Sequence, residues 1–435
     1  MKKKQTSIQD FFCSTSPTVG SQTIDTDDIL NTSSDLHSAE LTDSRMNEFD
    51  SKTMLAIEKT SLDAISFLKN HGFDDIIEDI LNFASMADSI PTQLRLISNT
   101  TSSIELSRLH IASLISNVFL CRFLNPHWNA TKLFNHAGNG LTHLQRQKIK
   151  FFRQYFESLK KENYLNGYVK FHRISLDHSP DWSSLKDTEI GLLTLCLDET
   201  IEDQNAAQVD FCNRRIGGGV LTHGSVQEEI MFLCRPECIA ALLFTDPLDD
   251  HEAIIIEGAN IFSGYRGYSS SLKWQPLSTG KEKSPIIIAI DAIKFKKRDR
   301  LHEFRKLSIE RELNKAYCGF SMASRCDGYD TRIATGHWGC GAFNGNKQLK
   351  GIIQLLAASV SDSSLIYCCF GDREFYEEFG ALHQKLVLKR VSVAELFHWI
   401  TQYRYRNFDT QTGLLLERSC TLFDYIDTQV RKLYR

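Results

Sequence analysis

The sequence lacks the features that mark membrane, secreted and zinc-binding proteins. No apolar run approaches the roughly 20 residues that cross a bilayer, and the best candidate, PIIIAIDAI, is short and contains Asp291. The first residues, MKKKQTSIQDFF, lack the apolar segment of a secretory signal. No two of the 12 cysteines form a CxxC pair. We therefore expect an intracellular chain with reduced thiols, without membrane contact and without a metal.

An excess of positive charge is also absent. The chain has 50 Lys and Arg residues against 54 Asp and Glu residues, a formal net charge of -4. This balance gives no overall attraction to nucleic acid or to an anionic membrane, so direct nucleic-acid binding is not required. The chain has 435 residues, of which 42% are hydrophobic. It can therefore bury a large core, and its length suits about two or three domains.

Three segments differ in composition and periodicity. Residues 1–50 are mostly polar, which predicts a disordered tail. Residues 51–165 carry apolar side chains at helical spacing, which predicts a helical domain. Residues 166–435 alternate short β-rich runs with amphipathic segments, which is typical of a layered α/β domain. The fully apolar run Ile286–Ile290 predicts a sheet that is covered on both faces.

Two shorter segments also receive assignments from their pattern. The apolar run AALLFTD, residues 240–246, is grouped with the β-rich runs. Residues 391–435 have helical periodicity, and we expect them to pack against the helical domain.

Two glycine-rich loops follow predicted strands. GGG, residues 217–219, closely follows VDFCN, and ATGHWGCGAF spans residues 334–343. Glycine allows backbone N–H groups to approach a ligand because no Cβ intervenes. Loops at the carboxyl ends of strands lie at one edge of an α/β sheet, where ligands usually bind. We therefore expect the two loops to form two sides of one pocket that suits a phosphate or diphosphate.

Glu228 and Glu229 follow the first loop in the segment VQEEI. Without context, two adjacent glutamates usually belong to the solvated start of a helix. Their side chains diverge by about 100° on a helix, so they cannot act on one bond in the same way. One glutamate would have to transfer protons while its neighbour holds the substrate.

The order of QVDFCN, GGGV and VQEEI, residues 208–230, resembles the signature of the poly(ADP-ribose) glycohydrolase family. Further segments resemble the family in the family's order: IED at 201–203, YRGY at 265–268, RELNKAYCGF at 311–320, ATGHWGCGAF and FGD at 370–372. The resemblance implies an α/β macrodomain, a three-layer sandwich with a mixed sheet, preceded by a helical accessory domain. It also implies a hydrolase that releases ADP-ribose from its polymer and needs no cofactor.

The resemblance assigns roles to the matched residues. Glu229 is the acid that protonates the departing ribose oxygen and then activates water. Glu228 binds ribose hydroxyls, and Asp210 and Asn213 support the site. The other substrate contacts that it implies are Ile201, Glu202, Gly217, Gly218, Gly219, Gln227, Tyr268, Gly339, Gly341, Ala342, Phe343 and Phe370.

Within this set, Glu202 and an aromatic lid are expected at the adenine, and the two glycine loops at the diphosphate. Tyr265 and Tyr268 are alternatives for the lid. His337 stands where the family often has asparagine, which leaves the hydrogen bonding of its loop open.

A second motif lies near the start of the sequence. Gln5, Ile8, Phe11 and Phe12 in QTSIQDFF have the spacing of a motif that binds the sliding clamp (PCNA). This spacing puts Ile8 and the two phenylalanines on one face of a helical turn. We expect clamp binding, a nuclear location and recruitment to replication or repair sites.

Two other functions remain open from the sequence. The chain could be a non-catalytic macrodomain that binds poly(ADP-ribose) as a scaffold, or it could hydrolyse a related linkage, such as an ADP-ribosyl ester on protein. The pair Glu228–Glu229 favours the glycohydrolase, because binding alone would not require the second glutamate.

Overall fold

The structure is a computed structural model that describes residues 62–86, 94–123, 125–134, 140–161, 164–277, 285–296, 300–323, 331–409 and 412–433. The expected tail, with its motif at residues 5–12, lies outside the described residues.

Eight strands form one mixed sheet, and two more form a separate hairpin. The strands are β1 (Ser102–Ser107), β2 (Tyr168–Ser175), β3 (Leu193–Cys196), β4 (Ala207–Asp210), β5 (Glu252–Glu257), β6 (Ser263–Arg266), β7 (Lys273–Pro276), β8 (Ile287–Ala289), β9 (Arg332–Thr335) and β10 (Ser364–Cys368). The order in the sheet is β1-β2-β5-β8-β4-β9-β10-β3, and β6 pairs with β7.

Helices cover both faces of this sheet. They are α1 (Leu62–Leu68), α2 (Ile77–Ser85), α3 (Arg108–Phe119), α4 (Thr131–Phe134), α5 (His143–Leu159), α6 (Gln227–Cys234), α7 (Arg300–Glu303), α8 (Lys306–Ala323), α9 (Lys347–Val360), α10 (Arg373–Leu388), α11 (Val393–Asn407) and α12 (Leu422–Lys432). None of these described helices is both long and apolar enough to span a membrane.

One half of the sheet is antiparallel and the other is parallel. β1, β2, β5 and β8 pair antiparallel, whereas β8, β4, β9, β10 and β3 pair parallel. The carboxyl ends of the five parallel strands therefore meet at one edge. Both glycine loops leave this edge, because β4 and β9 are parallel neighbours. The mixed sheet between helical layers confirms the predicted α/β sandwich.

Alternate residues of the strands serve two separate cores. On β5, Ile254 and Ile256 belong to the core beneath α1 to α6, whereas Ala253 and Ile255 belong to the core beneath α8 to α12. This alternation follows from the two-residue period of a strand. Both faces of the central strands are therefore dry, as the apolar run of β8 predicts.

The segment predicted to be helical also contributes a strand. β1 lies inside residues 51–165 and pairs with β2 along its whole length, with Leu106 opposite Val169. Its sequence SSIELS alternates, and Leu106 is buried in the same core as α1 to α5. The helical segment is therefore joined to the sheet by backbone hydrogen bonds as well as by packing.

Two predictions about individual segments were wrong. Residues 240–243 of AALLFTD lie in a 3-10 helix, Pro236–Leu243, because this run follows α6 directly and Pro236 fixes its first turn. The C-terminal helices α11 and α12 pack on α9 and α10 in the core of the opposite face, and not against the helical segment.

The contact between α8 and β8 gives a stability test. A Cβ on Gly319 would lie 2.5 Å from Ile288 Cγ2. We expect Gly319→Ala to lower the free energy of unfolding by about 1–3 kcal/mol, because the added methyl group overpacks this contact. Gly380→Ala on α10 is the control, since its nearest neighbour is a Leu195 methyl at 3.3 Å. Urea unfolding should show the loss for Gly319 alone, and equal stability of the two variants would contradict the close packing.

Candidate active site

A cavity of about 1120 Å³ opens at the carboxyl edge of the parallel strands. Its walls come from the turn at residues 200–203, the start of α6, the β6–β7 hairpin and the loop after β9. The predicted site residues that line it are Glu202, Gln227, Tyr268, Gly339, Gly341, Ala342, Phe343 and Phe370. Residues from five separate segments of the sequence therefore share one cavity.

Glu228 and Glu229 lie in the first turn of α6, behind the lining residues Val226 and Gln227. Their side chains are nearly inaccessible, at 3% and 6% exposure, so they are not a solvated helix start. Glu228 accepts backbone hydrogen bonds from Asn213 at 3.0 Å and from Gly217 at 2.6 Å.

Glu229 is held in a similar way. One of its oxygens accepts the amide of Gly219 at 2.8 Å, and the other accepts the amide of Val226 at 2.8 Å. The second contact is the half of a capping box that a glutamate at this helical position provides. Four backbone amides thus fix two adjacent carboxylates in different directions.

The glycines make this arrangement possible. Gly217 and Gly218 have φ of +86° and +47°, in the region that favours glycine. A Cβ on Gly218 would lie 2.4 Å from Glu228 Oε2 and 2.6 Å from Glu229 Oε1. A Cβ on Gly224 would lie 2.4 Å from the same Glu229 oxygen. Any side chain at these two positions would therefore displace the carboxylates.

Asp210 ends β4 beside the glutamates and is fully buried. Neither of its carboxylate oxygens has a hydrogen-bond partner among the described residues. Burial, together with the charges of Glu229 and Glu202, raises the pKa of Asp210 well above its usual value. Burial and the charge of Asp210 likewise raise the pKa of Glu228. The site is thus a concentrated and poorly solvated cluster of acids.

Cys212 adds a thiol to this cluster. Ligand atoms of Asp210, Cys212 and Glu228 lie within 4.8 Å of one another, a potential metal-ligand set that the sequence analysis did not predict. Burial raises the pKa of Cys212 well above its usual value, which disfavours the thiolate that binds metals. Both oxygens of Glu228 already accept amides. This environment therefore favours a protonated thiol.

At one end of the cavity, two tyrosines have different partners. Tyr265 donates its hydroxyl to Glu202 at 3.1 Å, and the other oxygen of Glu202 is buried without a partner within the described chain. Tyr268 lies on the turn of the β6–β7 hairpin, and its hydroxyl meets the backbone amide of Gln227 at the start of α6. Tyr265 is thus engaged by an acid, and Tyr268 bridges the hairpin to α6.

At the other end, the loop after β9 is anchored from below. Trp338 is fully buried and donates its indole N–H to the Ile290 carbonyl at 2.9 Å. Further along the loop, the amides of Gly341, Ala342 and Phe343 donate to no acceptor among the described residues. Three consecutive free donors at the rim of a cavity can bind an anion.

His337 is part of the anchor of this loop. Its Nδ1 lies 3.1 Å from the Tyr367 hydroxyl and its Nε2 lies 3.2 Å from the Cys369 carbonyl. Burial and the charge of Lys347 lower the pKa of His337 to about 4, so the ring is neutral near pH 7. A neutral ring with the proton on Nε2 accepts from the Tyr367 hydroxyl and donates to the Cys369 carbonyl. These two bonds are the hydrogen bonding of His337 that the sequence left open.

Two family models match most of the described chain. Residues 67–173 match the helical domain of poly(ADP-ribose) glycohydrolase, and residues 179–377 match its macro domain fold. Poly(ADP-ribose) glycohydrolase 2 of Caenorhabditis elegans is 31% identical over 351 residues, which cover 75% of this chain and 70% of that protein. The chain belongs to the poly(ADP-ribose) glycohydrolase family.

The share of each relative's length that this chain covers differs from one relative to another. Poly(ADP-ribose) glycohydrolase 1 of C. elegans is 33% identical over 353 residues, covering 76% of this chain but only 44% of that protein. The chain thus spans less than half of this relative. Poly(ADP-ribose) glycohydrolase of Deinococcus radiodurans in complex with ADP-ribose is 16% identical, with a TM-score of 0.31, over 48% of this chain and 94% of that chain.

The structure corrects two expectations that came from the family resemblance. The amides of Gly217 and Gly219 donate to the glutamates and that of Gly218 donates to the Arg215 carbonyl, so the triplet has no amide left for a diphosphate. Ile201 is fully buried in the core and does not line the cavity.

Gln227 lines the cavity, and its side chain also has partners within the protein. Its side-chain amide accepts from Phe211 N at 2.8 Å and donates to the Val209 carbonyl at 3.2 Å. These bonds join α6 to the end of β4, so the Gln227 side chain orients the helix. Asn213, which was expected to support the site, does so through its backbone amide on Glu228, while its side chain is exposed.

One residue of this site, Lys148, was not among those predicted from the sequence. Lys148 of α5 reaches the glycine loop from the helical segment. A weak signal was present, because Lys148 occupies the apolar face that Phe151, Phe152 and Tyr155 define on α5.

The buried carboxyl of Asp210 makes a pH-dependent stability test. Between the pKa of an unfolded aspartate, about 3.9, and its raised value in the folded chain, the folded state binds more protons. The free energy of unfolding therefore falls as pH rises through this window. Asp210→Asn should raise the melting temperature more at pH 7.5 than at pH 4.5, with the exposed Asp198→Asn as the control. A thermal melt of Asp210→Asn that matches wild type at both pH values would contradict the cost of this buried charge.

Proposed function

We propose that the chain hydrolyses the ribose–ribose O-glycosidic bonds of poly(ADP-ribose) and releases ADP-ribose. The observation that carries this proposal is the pair of glutamates, each held by two backbone amides at the cavity of a family member. Cleavage at a glycosidic carbon needs carboxyl groups in fixed positions and no metal.

Glu229 is the acid and base of the proposed reaction. A carboxylate oxygen has two lone pairs, so the amides of Gly219 and Val226 leave acceptor capacity on each oxygen. The protonated carboxyl gives its proton to the departing ribose oxygen as the glycosidic bond breaks. The resulting carboxylate then takes a proton from the water that attacks the anomeric carbon, which restores the acid.

The neighbouring acids fit the charge of this reaction. Glycosidic cleavage passes through a transition state that resembles an oxocarbenium ion, so positive charge develops on the sugar. Asp210 and Glu228 place acidic groups beside that position. In the proposal Glu228 accepts hydrogen bonds from the ribose hydroxyls, and Asp210 contributes its field.

The rest of the cavity suits the remainder of an ADP-ribose unit. The free amides of Gly341, Ala342 and Phe343 supply donors for the diphosphate. The unpaired oxygen of Glu202 can accept from the adenine amino group, and Tyr268 can cover the ring. We favour Tyr268 as the lid, because it lies on the turn of the hairpin, whereas Tyr265 lies within β6 and donates to Glu202.

Replacing the proposed acid tests the mechanism. We expect Glu229→Gln to lower turnover of labelled poly(ADP-ribose) by about 10² to 10⁴, because the amide cannot transfer the proton. Binding of the polymer should survive, since the cavity is unchanged. Released products and retained polymer should be measured together on wild type, Glu229→Gln and the exposed control Glu417→Gln.

Three outcomes separate the alternatives for this site. Near-normal turnover of Glu229→Gln would overturn the assignment of the acid. Retention of intact polymer by wild type as well as by the variant would indicate a non-catalytic reader. Release of the protein-linked terminal unit would indicate an ester hydrolase, because an enzyme that cleaves only ribose–ribose bonds leaves that unit behind. Melting temperatures should be measured as well. The side-chain NH₂ of glutamine would face one of the two backbone N–H groups that donate to Glu229, and two donors cannot form a hydrogen bond with each other.

We also propose that residues 5–12 bind the sliding clamp and bring the enzyme to replication or repair sites in the nucleus. Support comes from the sequence alone, in which Gln5, Ile8, Phe11 and Phe12 have the spacing of a clamp-binding motif. The two aromatic side chains would fill an apolar groove of the clamp.

The double variant Phe11→Ala and Phe12→Ala tests this recruitment. We expect it to lose clamp binding, because both apolar anchors are removed, and to keep hydrolysis in solution. Calorimetry with the purified clamp and a solution assay measure the two properties. Replacing Lys2 and Lys3 with glutamine is a control that keeps the aromatic pair. Unchanged clamp affinity of the double variant would dismiss the motif as a chance match.

A further inference from the structure

Lys148 projects from α5 into the loop that follows the glycine triplet. Its side chain is fully buried, and its Nζ donates to the carbonyls of Gly219 at 3.1 Å, Val220 at 2.9 Å and Thr222 at 3.0 Å. An ammonium group has three hydrogens. The loop thus offers one carbonyl for each of them.

Burial of a lysine is costly unless its charge is compensated. Burial lowers the pKa of Lys148 to about 7, and the negative charge of Glu229 opposes this change. The same short loop carries the Gly219 amide, which donates to Glu229 at 2.8 Å. One residue of the loop, Gly219, is therefore held by Lys148 through its carbonyl and holds Glu229 through its amide.

We infer that Lys148 is a positioning residue that fixes the loop at 219–222 and thereby orients Glu229 for proton transfer. The inference rests on the proposed function, because it assigns Lys148 a role in the same reaction. In this inference the helical segment contributes to catalysis as well as to packing. The reason is that Lys148, a charged residue of α5, contacts the loop that holds Glu229.

The same helix holds the opposite wall of the cavity through different residues. Gln147 Oε1 accepts the backbone N–H of Trp274 at 3.0 Å, and His143 Nε2 lies 3.0 Å from the Leu272 carbonyl. Both contacts are on the β6–β7 hairpin that carries Tyr268. Lys148 therefore contacts the loop that holds Glu229, whereas Gln147 and His143 contact the hairpin that carries the lid. Substitutions at these positions of α5 should affect kcat and KM separately.

Replacing Lys148 with methionine removes the three donors while keeping much of the side-chain volume. The Gly219 carbonyl keeps the amides of Thr222 and Gly224 as partners. The carbonyls of Val220 and Thr222 lose the Lys148 donor. The loop should therefore loosen without leaving its place, and Glu229 should lose its fixed orientation.

The experiment compares three variants of the 435-residue chain with wild type on poly(ADP-ribose). We expect Lys148→Met to lower kcat by about 10- to 100-fold, the effect of misplacing a catalytic group by about 1 Å, with KM within about threefold of wild type. Gln147→Ala should instead raise KM, because it loosens the hairpin. Arg108→Lys is the matched control: Arg108 makes a buried ion pair with Glu237, which joins the helical segment to the macrodomain without touching the acid loop. It should lower the melting temperature and leave kcat unchanged.

A chemical rescue removes the ambiguity of a folding defect. Lys148→Ala should regain kcat in a saturable way when n-propylammonium is added, whereas Glu229→Gln should not respond. An unchanged kcat in Lys148→Met, or a loss equal to that of Arg108→Lys, would overturn the inference. So would the absence of rescue in a Lys148→Ala protein that melts like wild type. If wild type itself releases no ADP-ribose, the proposed function fails instead, so the two failures are distinguishable.

Discussion

The site depends on the close approach of two carboxylates to the backbone. Hydrogen bonds to a charged group contribute about 1.5–3 kcal/mol each, and four backbone amides supply them to Glu228 and Glu229. Without these bonds the charges of the two glutamates and of Asp210 would repel one another in a poorly solvated place. The amides can come this close only because Gly218 and Gly224 have no side chains in the space that the carboxylates occupy. The positions of the two carboxylates thus require glycine at residues 218 and 224, because any side chain there would overlap them.

The sheet supplies the location of these acids but not their rigidity. Parallel pairing of β4 with β8 and β9 brings the glycine loop, the loop after β9 and Phe370 to one edge. Beyond that edge the ladder hydrogen bonds end, so each loop must be fixed by other elements. Trp338 anchors one loop from the core, and Lys148 contacts the other from the helical segment. The layer that covers one face of the sheet therefore also completes the site at its edge.

Periodicity predicted the elements whose environment is uniform. The apolar run of β8 is buried on both faces, so its composition alone identified a central strand. Prediction failed where the neighbours of a segment decide its structure: β1 is fixed by its pairing with β2, and the 3-10 helix that begins at Pro236 follows α6 and packs on α3. The same limit applied to the site. Sequence spacing located the glycine triplet and the glutamates, but it could not tell that the amides of Gly217 and Gly219 already serve those glutamates.

The free-energy cost of keeping buried carboxylates ionised also bears on the function of the cavity. Burial raises the pKa of Asp210 and of Glu228, so each carboxylate is costly to keep ionised in the fold. A protein that only binds a neutral ribose needs hydrogen-bond acceptors, and serine or asparagine would provide them at lower cost. A reaction that develops positive charge on the sugar gains from nearby negative charge in its transition state, and not in the bound ground state. Under the proposed function, the three buried acids of this site are therefore better explained by catalysis than by binding alone.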